Sequence, residues 1–264
     1  FKGKEIVGEI TVVIKGENKL KSTKINEFVL KKELDELISA GLSLSAASSY
    51  LAKKNSHERD SRIVFFEGPH IYEIDGQQGF TSVTTWNHSH FSSFNSDEII
   101  DNMIKKGKLN DPNHKYYRKT REEILEIWDK NRIEASSAGT KMHYNIECFY
   151  NNMDVSDTSI EYEYFMRFRN DNLNLEAYRT EWNVFHEEMK LSGSIDMLYK
   201  DTNNGEFYIY DWKRSKGIEF ESGFGKTSTT KCIKHIPDTN FWHYSLQLNV
   251  YRKILFEKYD IKVT

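Results

Sequence analysis

FYIYDWKRSK, residues 207–216, sets an aspartate, a tryptophan, a lysine and an arginine at the end of an apolar, aromatic run. Side chains at i and i+2 of a strand share a face, so Asp211 and Lys213 point the same way. A half-buried strand carrying a carboxylate beside an ammonium is either a rim salt bridge or part of a site. Two strand-like runs precede it, AYRTEWNVFHE (177–187) and KLSGSIDMLYK (190–200), and the third run is EFYIYDWKR (206–214). Asn204-Gly205 between the second and third is the strongest short hairpin signal in the chain. The three make an antiparallel meander, and Asp196 and Asp211 on its adjacent strands can then converge at one end of the sheet.

Outward from the meander, RIVFFEGPHIYEIDGQQGFTSVTTW (62–86) holds two short strands with turns at Gly68-Pro69 and Asp75-Gly76. A short helix is predicted from Ser96 to Lys106. A longer one runs from about Thr120 to Tyr150, interrupted near Ser136–Gly139, and another spans 157–173 with Ile160, Tyr164, Phe165 and Phe168 on its apolar side. A polar loop (216–236) leads to the helix NFWHYSLQLNVYRKILFEKY, and IKVT starts a further strand. Helices, meander, helix and strand in that order predict an α/β or α+β fold with a mixed central sheet. The domain boundary falls near residue 60, giving an appendage over 1–60 and a main domain over 61–264. The appendage reads as a strand in EIVGEITVVIKG and two short helices broken at Gly41. The chain starts at Phe and stops within a predicted strand, so a fragment is expected at both ends.

With 264 residues, 38% hydrophobic and 29% charged, the chain has the balance of a globular protein that builds a core. A net charge of −3 advertises no polyanion partner globally, although its distribution still can. Cys148 and Cys232 are too few for a disulfide framework or a four-cysteine cluster, which favours a reducing, intracellular setting. No run of about 18 apolar residues and no signal-peptide pattern is present, so neither a membrane span nor secretion is expected.

Two carboxylates brought close repel unless a cation lies between them, and oxygen ligands of this kind suit Mg²⁺ or Mn²⁺. A lysine beside such an ion can orient or deprotonate a water, or stabilise charge on a phosphate under attack. AGTKMHYNIE (138–147) puts His143 and Glu147 one turn apart on a helix that can reach the same point; a lone helical histidine is also common as a structural residue. Glu181 on the strand before Asp196 is a third carboxylate or a solvated strand residue. Gln247 and Tyr251, at i and i+4 on the last helix, either steady the lysine or pack the helix surface.

AGTKMH, Glu181, GSIDML, IYDWKRSK and QLNVY, in this order over about residues 63–264, resemble the RecB-type branch of the PD-(D/E)xK nuclease superfamily, near the exonucleases of viral and mitochondrial DNA maintenance. HIYEIDGQQGFTSVTTWNHSHF and DTNFWHYSLQLNVY are most similar to versions in large DNA viruses. The resemblance implies a restriction-endonuclease-like core. It implies metal ligation by His143, Asp196, Asp211 and the backbone carbonyl of Trp212. Glu181 would be an auxiliary acid, Lys213 the catalytic lysine, and Gln247 and Tyr251 an accessory motif. No cysteines are placed for the iron–sulfur cluster that some members carry. Separately, Gly8-Glu9, Gly16, Leu34–Leu37 and GLSLSAASSYLAKK (41–54) resemble the C-terminal end of bacterial ribosomal-RNA ribose methyltransferases of the tetrapyrrole-methylase type. Their cofactor domain is missing, so no activity follows.

For a nucleic-acid surface, KKGKLNDPNHKYYRKTR (105–121) interleaves cations and rings, among them Lys115, Tyr116, Tyr117, Arg118 and Lys119, as single strands require. Arg214, Lys216 and Trp86 are further candidates. The expected function is a metal-dependent deoxyribonuclease, an exonuclease on single-stranded or end-containing DNA in replication, repair or recombination. An endonuclease or junction resolvase, and a non-catalytic nucleic-acid-binding module of the same fold, are the alternatives.

Overall fold

The computed structural model describes residues 8–9, 57–223 and 225–264. The appendage expectations lie outside these residues apart from Gly8–Glu9 (β1), which pairs antiparallel with Arg214–Ser215 (β8). In chain order the other strands are β2 (Ile63–Phe66), β3 (Ile71–Ile74), β4 (Thr81–Ser82), β5 (Leu175–His186), β6 (Leu191–Asp201) and β7 (Phe207–Tyr210). The helices are α1 (Val83–His88), α2 (Ser96–Lys105), α3 (Arg121–Tyr150), α4 (Ile160–Asp171) and α5 (Asn240–Lys258).

β6 is the spine of a mixed sheet. β5 runs antiparallel along one edge, from Leu175↔Asp201 to His186↔Leu191. The other edge is shared: β4 pairs in parallel at Leu191–Ser192, and β7 pairs antiparallel at Met197–Lys200. The fold is therefore mixed α/β, as the order of elements predicted. The strand expected in IKVT is a single parallel bridge, Phe207↔Val263, with Thr264 N–H donating to the Phe207 carbonyl at 2.8 Å.

Turn and cap chemistry explain the boundaries. Asp75 and Gly76 both have positive φ, 52° and 73°, and Ile74 and Gln77 on either side exchange two backbone hydrogen bonds, as the Asp-Gly dipeptide predicted. Thr120 and Glu123 form a reciprocal capping box at the start of α3. Contrary to expectation α3 continues unbroken through Ser136–Gly139. One glycine among good helix formers costs only about 1 kcal/mol, too little to end thirty helical residues. In α4 the apolar face is also shifted. Phe165 is buried and Phe168 packs beside it, but Ile160, in the first turn, is 43% exposed.

Each face of the sheet has its own core. Val184, Ile195, Leu198 and Ile209 pack against Leu248, Tyr251, Ile254 and Leu255 of α5. Met197, Tyr199, Tyr210 and Trp212 pack against Met142 and Ile146 of α3 and Phe165 of α4. Each such side chain contributes roughly 1.5–3 kcal/mol of burial, so α3 and α5 are held to opposite faces and both reach the end of β7. The β2–β3 hairpin seats Ile63, Tyr72 and Ile74 on Phe185.

Asp157 ties the segment between α3 and α4 to α3. Its carboxylate, 4% exposed, accepts from Ser159 N (3.0 Å), Ser159 Oγ (3.0 Å) and Asn145 Nδ2 (2.5 Å), and pairs with Lys141 Nζ at 2.9 Å. Burial pushes its pKa up, but the Lys141 and Ser159 bonds outweigh this and hold it at about 2. A value below the unfolded one, about 3.9, adds stability that is complete near neutrality and lost as pH falls towards the folded value. Asp157→Ala should therefore destabilise the protein at pH 7, and its deficit against wild type in urea melts should be about 1 kcal/mol smaller at pH 3. A deficit independent of pH would contradict the assignment.

Candidate metal centre

The Glu181–Asp196 pair is where the pleat of the sheet slips. Thr180↔Met197 and Trp182↔Ile195 flank it in the register, so Glu181 and Asp196 stand opposite each other. Residues two apart on a strand should share a face. Ile195, however, faces the α5 core and Met197 the α3–α4 core. Glu181 takes φ 43°, a conformation an ordinary side chain adopts only under strain. Strain of this kind concentrates at functional positions.

β7 ends at Tyr210, so Asp211 and Lys213 lie just beyond the strand that the sequence assigned them to. The cause is a contact with the neighbouring strand: the Trp212 N–H donates to Asp196 Oδ2 at 2.7 Å and is lost to the ladder. The chain turns there and presents the Trp212 carbonyl to α3, where it lies 2.9 Å from His143 Nε2. His143 Nδ1 lies 3.2 Å from Glu181 Oε1 and 3.7 Å from Asp196 Oδ2. Ser194 Oγ donates to the other Glu181 oxygen at 3.2 Å. Burial lowers the proton affinity of His143, but the Glu181 bond and the Asp196 and Glu181 charges outweigh it and raise its pKa to about 9.

Asp211 stands apart from this trio. It is 2% exposed; its Oδ2 lies 2.6 Å from Lys213 Nζ and its Oδ1 accepts from Gln247 Nε2 at 3.2 Å. Burial and the Asp196 charge push the Asp211 carboxyl up, while Lys213 opposes them. Lys213 Nζ is also 3.8 Å from Asp196 Oδ2, which makes the ammonium a bridge between the two aspartates. Burial disfavours its charge, but the two carboxylates outweigh that and raise its pKa. Tyr244 offers its ring 5.9 Å from Nζ. Tyr251 is buried beneath, its hydroxyl close against Gly193. Glu147, one turn along from His143, is half-buried; burial and the Glu181 charge raise its pKa.

An octahedral ion with bonds of about 2.1 Å needs neighbouring ligands about 3 Å apart and opposite ones just over 4 Å apart. His143, Glu181 and Asp196 each offer a ligand atom within 4.8 Å of the others, and the Trp212 carbonyl borders the same imidazole. The Trp212 carbonyl, expected as a further ligand, lies on the Nε2 side of the imidazole and the carboxylates on its Nδ1 side, so the donors that converge are two carboxylates and one imidazole nitrogen, a set that fits a divalent cation. The raised proton affinity of His143 marks the same spot as one where positive charge is stabilised. In this arrangement Glu181 sits with His143 and Asp196, whereas Asp211 is engaged by Lys213 and Gln247.

The nucleic-acid candidates are more scattered. Trp86 packs partly against the α5 core and edge-on to His90, 4.4 Å between centroids. Tyr116 accepts a bond from Trp128 Nε1 at 2.6 Å and lies under Lys115, 5.2 Å from its centroid. Arg118 lies over Tyr117 at 5.0 Å, and Lys119 pairs with Glu123 at 3.8 Å. Arg214 is held by Glu161 at 2.7 Å, so its cation is already matched. Lys216 is exposed at a cavity near the start of α5. Sequence reasoning missed Ser194 and Tyr244. Ser194 is two residues before Asp196, and Tyr244, Gln247 and Tyr251 recur at i, i+3 and i+7, so both signals were readable.

No protein-family model, curated protein or solved structure matches the chain. Among the described residues no helix is long and apolar enough to cross a membrane.

Proposed function

We propose that the chain is a metal-dependent deoxyribonuclease of the PD-(D/E)xK type, acting on single-stranded or end-containing DNA. One observation carries this reading: a metal-capable trio, His143, Glu181 and Asp196, lies within a few ångströms of an ammonium held between two aspartates. A simple rim salt bridge accounts for Lys213 and Asp211 but not for a strained glutamate and a histidine brought to the same point. Glu181, Asp196 and His143 would hold Mg²⁺ or Mn²⁺, which when bound supplies Lewis acidity and an acidified water, and the Trp212 carbonyl would orient the imidazole from its Nε2 side. Lys213 would sit beside the phosphate and neutralise the charge that develops on it during attack. Asp211 and Gln247 would keep the ammonium aimed, and Tyr251 would support Gln247's helix from below.

End-labelled linear DNA and covalently closed circular DNA, each with Mg²⁺ or Mn²⁺, test this. Wild type should degrade linear DNA only when the ion is present, and Lys213→Ala and Asp211→Asn should both lose that degradation by a factor on the order of 10² or more. Degradation that survives both changes would refute the site. Cleavage of closed circles would favour an endonuclease, and binding without any hydrolysis a non-catalytic module.

A further inference from the structure

A cavity of about 480 Å³ lies between residues 215–219 and the first turn of α5. Ser215, two residues beyond Lys213, and Lys216 line it from the first segment, and Thr239, Asn240 and His243 from the second. The wall is tied together. Asn240 Nδ2 donates to the Gly217 carbonyl at 2.7 Å, and its Oδ1 accepts from Glu219 N at 2.9 Å. Trp242 Nε1 donates to the Phe220 carbonyl at 3.1 Å. These bonds hold Phe220 over Phe241, with centroids 4.4 Å apart and planes at 38°, and Trp242 stands edge-on to Phe241 at 5.1 Å. Yet Phe220 is 59% exposed. A ring fixed through its backbone, backed by a second ring and open to water contributes little to the core.

The helix end beside it is also incomplete. Thr239, the residue preceding α5, makes no side-chain cap, and its own Oγ1 is buried without a hydrogen-bond partner. The first-turn N–H groups of an uncapped helix carry partial positive charge. Tyr244, next to His243 in α5, has its ring 5.9 Å from Lys213 Nζ, and Ser215 of the lining follows Lys213 by two residues, so chain connectivity links the cavity to the lysine.

We infer that this cavity, together with the exposed Phe220 ring that follows Glu219 of its lining, is a nucleotide subsite for single-stranded DNA. The base next to the scissile phosphate stacks on Phe220, and its phosphodiester lies against Lys216 and the start of α5. That the neighbouring phosphate is cleaved rests on the nuclease reading; the binding does not. Stacking on a ring accepts any base, which suits an enzyme that processes a strand without reading it. Glu219 and Asp238 line the cavity too. Asp238 is tied to His243 by a hydrogen bond of 2.9 Å, but burial lowers the His243 pKa, so both carboxylates keep their charge and disfavour the dianion of a phosphorylated end more than a singly charged phosphodiester.

The test is fluorescence anisotropy of labelled oligothymidylate of about 20 nucleotides in EDTA, where no hydrolysis occurs. Phe220→Ala should weaken binding about tenfold and Phe220→Trp should restore it. Lys216→Ala should weaken it and reduce the salt dependence by about one phosphate contact. Blunt duplex of the same length should bind wild type and Phe220→Ala alike. Because Phe220 is exposed, the variant should melt with wild type, and a thermal scan checks this. Equal oligothymidylate binding by wild type and Phe220→Ala would overturn the subsite, even if Lys213-dependent hydrolysis is found. Phe220-dependent binding with no hydrolysis would keep the subsite and remove the nuclease reading.

Discussion

The Asp196→Asn variant is expected to keep its fold and lose its response to divalent cations. The asparagine oxygen can still accept the Trp212 N–H that Asp196 takes at 2.7 Å, so the turn after β7 is preserved. What disappears is a negative charge set among the acidic Glu181 and Asp211 and the basic His143 and Lys213. The Asp196 charge raises the pKa of Asp211 and, with Glu181, that of His143. Without an ion, removing it relieves repulsion from Asp211 but gives up attraction for His143 and Lys213, and the variant should melt near the wild-type temperature. With Mn²⁺ the two should separate. An ion present at about 100 times its dissociation constant stabilises the folded state by about 2.7 kcal/mol. Wild type should show the resulting upward shift in melting temperature, and Asp196→Asn should lose most of it. Metal-dependent hydrolysis should fall by a factor on the order of 10³, since the Lewis acid is worth several kcal/mol in the transition state. Differential scanning fluorimetry across a Mn²⁺ titration reads the first effect, and single-turnover cleavage reads the second. A full Mn²⁺ shift in the variant would remove Asp196 from the ion. A variant unfolded without metal would make its role structural.

The elements that carry this site were unevenly legible in the sequence. The three-strand meander was plain, because Asn204-Gly205 and the alternation on either side are signals made by a few adjacent residues. The ends of those strands were not. The departure of β7 from the ladder after Tyr210 depends on Asp196 capturing the Trp212 N–H, a contact between residues sixteen apart. His143 and Glu181 could be named as candidates, but their meeting could not be derived. It requires α3 to lie on one face of the sheet and the pleat to slip at Glu181, and a positive φ on a glutamate has no local sequence signature. The same limit applies to Arg214. Its position after Lys213 suggested a phosphate contact, whereas Glu161 at the start of α4 matches its charge. The uninterrupted α3 shows the opposite error. A small-residue stretch with one glycine reads locally as a break, yet helical residues on both sides and packing at its C-terminal half outweigh a local cost of about 1 kcal/mol.

Gly193→Ala is expected to damage both stability and the site, through space alone. Gly193 lies in β6 opposite Val184, and its φ is not in the left-handed region, so alanine meets no backbone strain there. The added Cβ, however, would lie 2.6 Å from Tyr251 Oη, 3.0 Å from Cε1 and 3.2 Å from Cζ. Those are atoms of a rigid ring, 2% exposed and packed in the α5 core, which has nowhere to swing. The accommodation must come from α5 moving off the sheet. Overpacking of this kind costs about 1–3 kcal/mol, which a urea melt resolves. The same helix carries Gln247, which holds Asp211 at 3.2 Å, and Tyr244 beside Lys213. A shift of α5 therefore loosens the ammonium, and hydrolysis per folded molecule should fall more steeply than the folded fraction. Adding Tyr251→Phe removes the closest atom, so the double variant should recover part of the lost stability. A double variant no more stable than Gly193→Ala would show that the hydroxyl contact is not the cause, and the coupling from β6 through Tyr251 to Lys213 would fall with it.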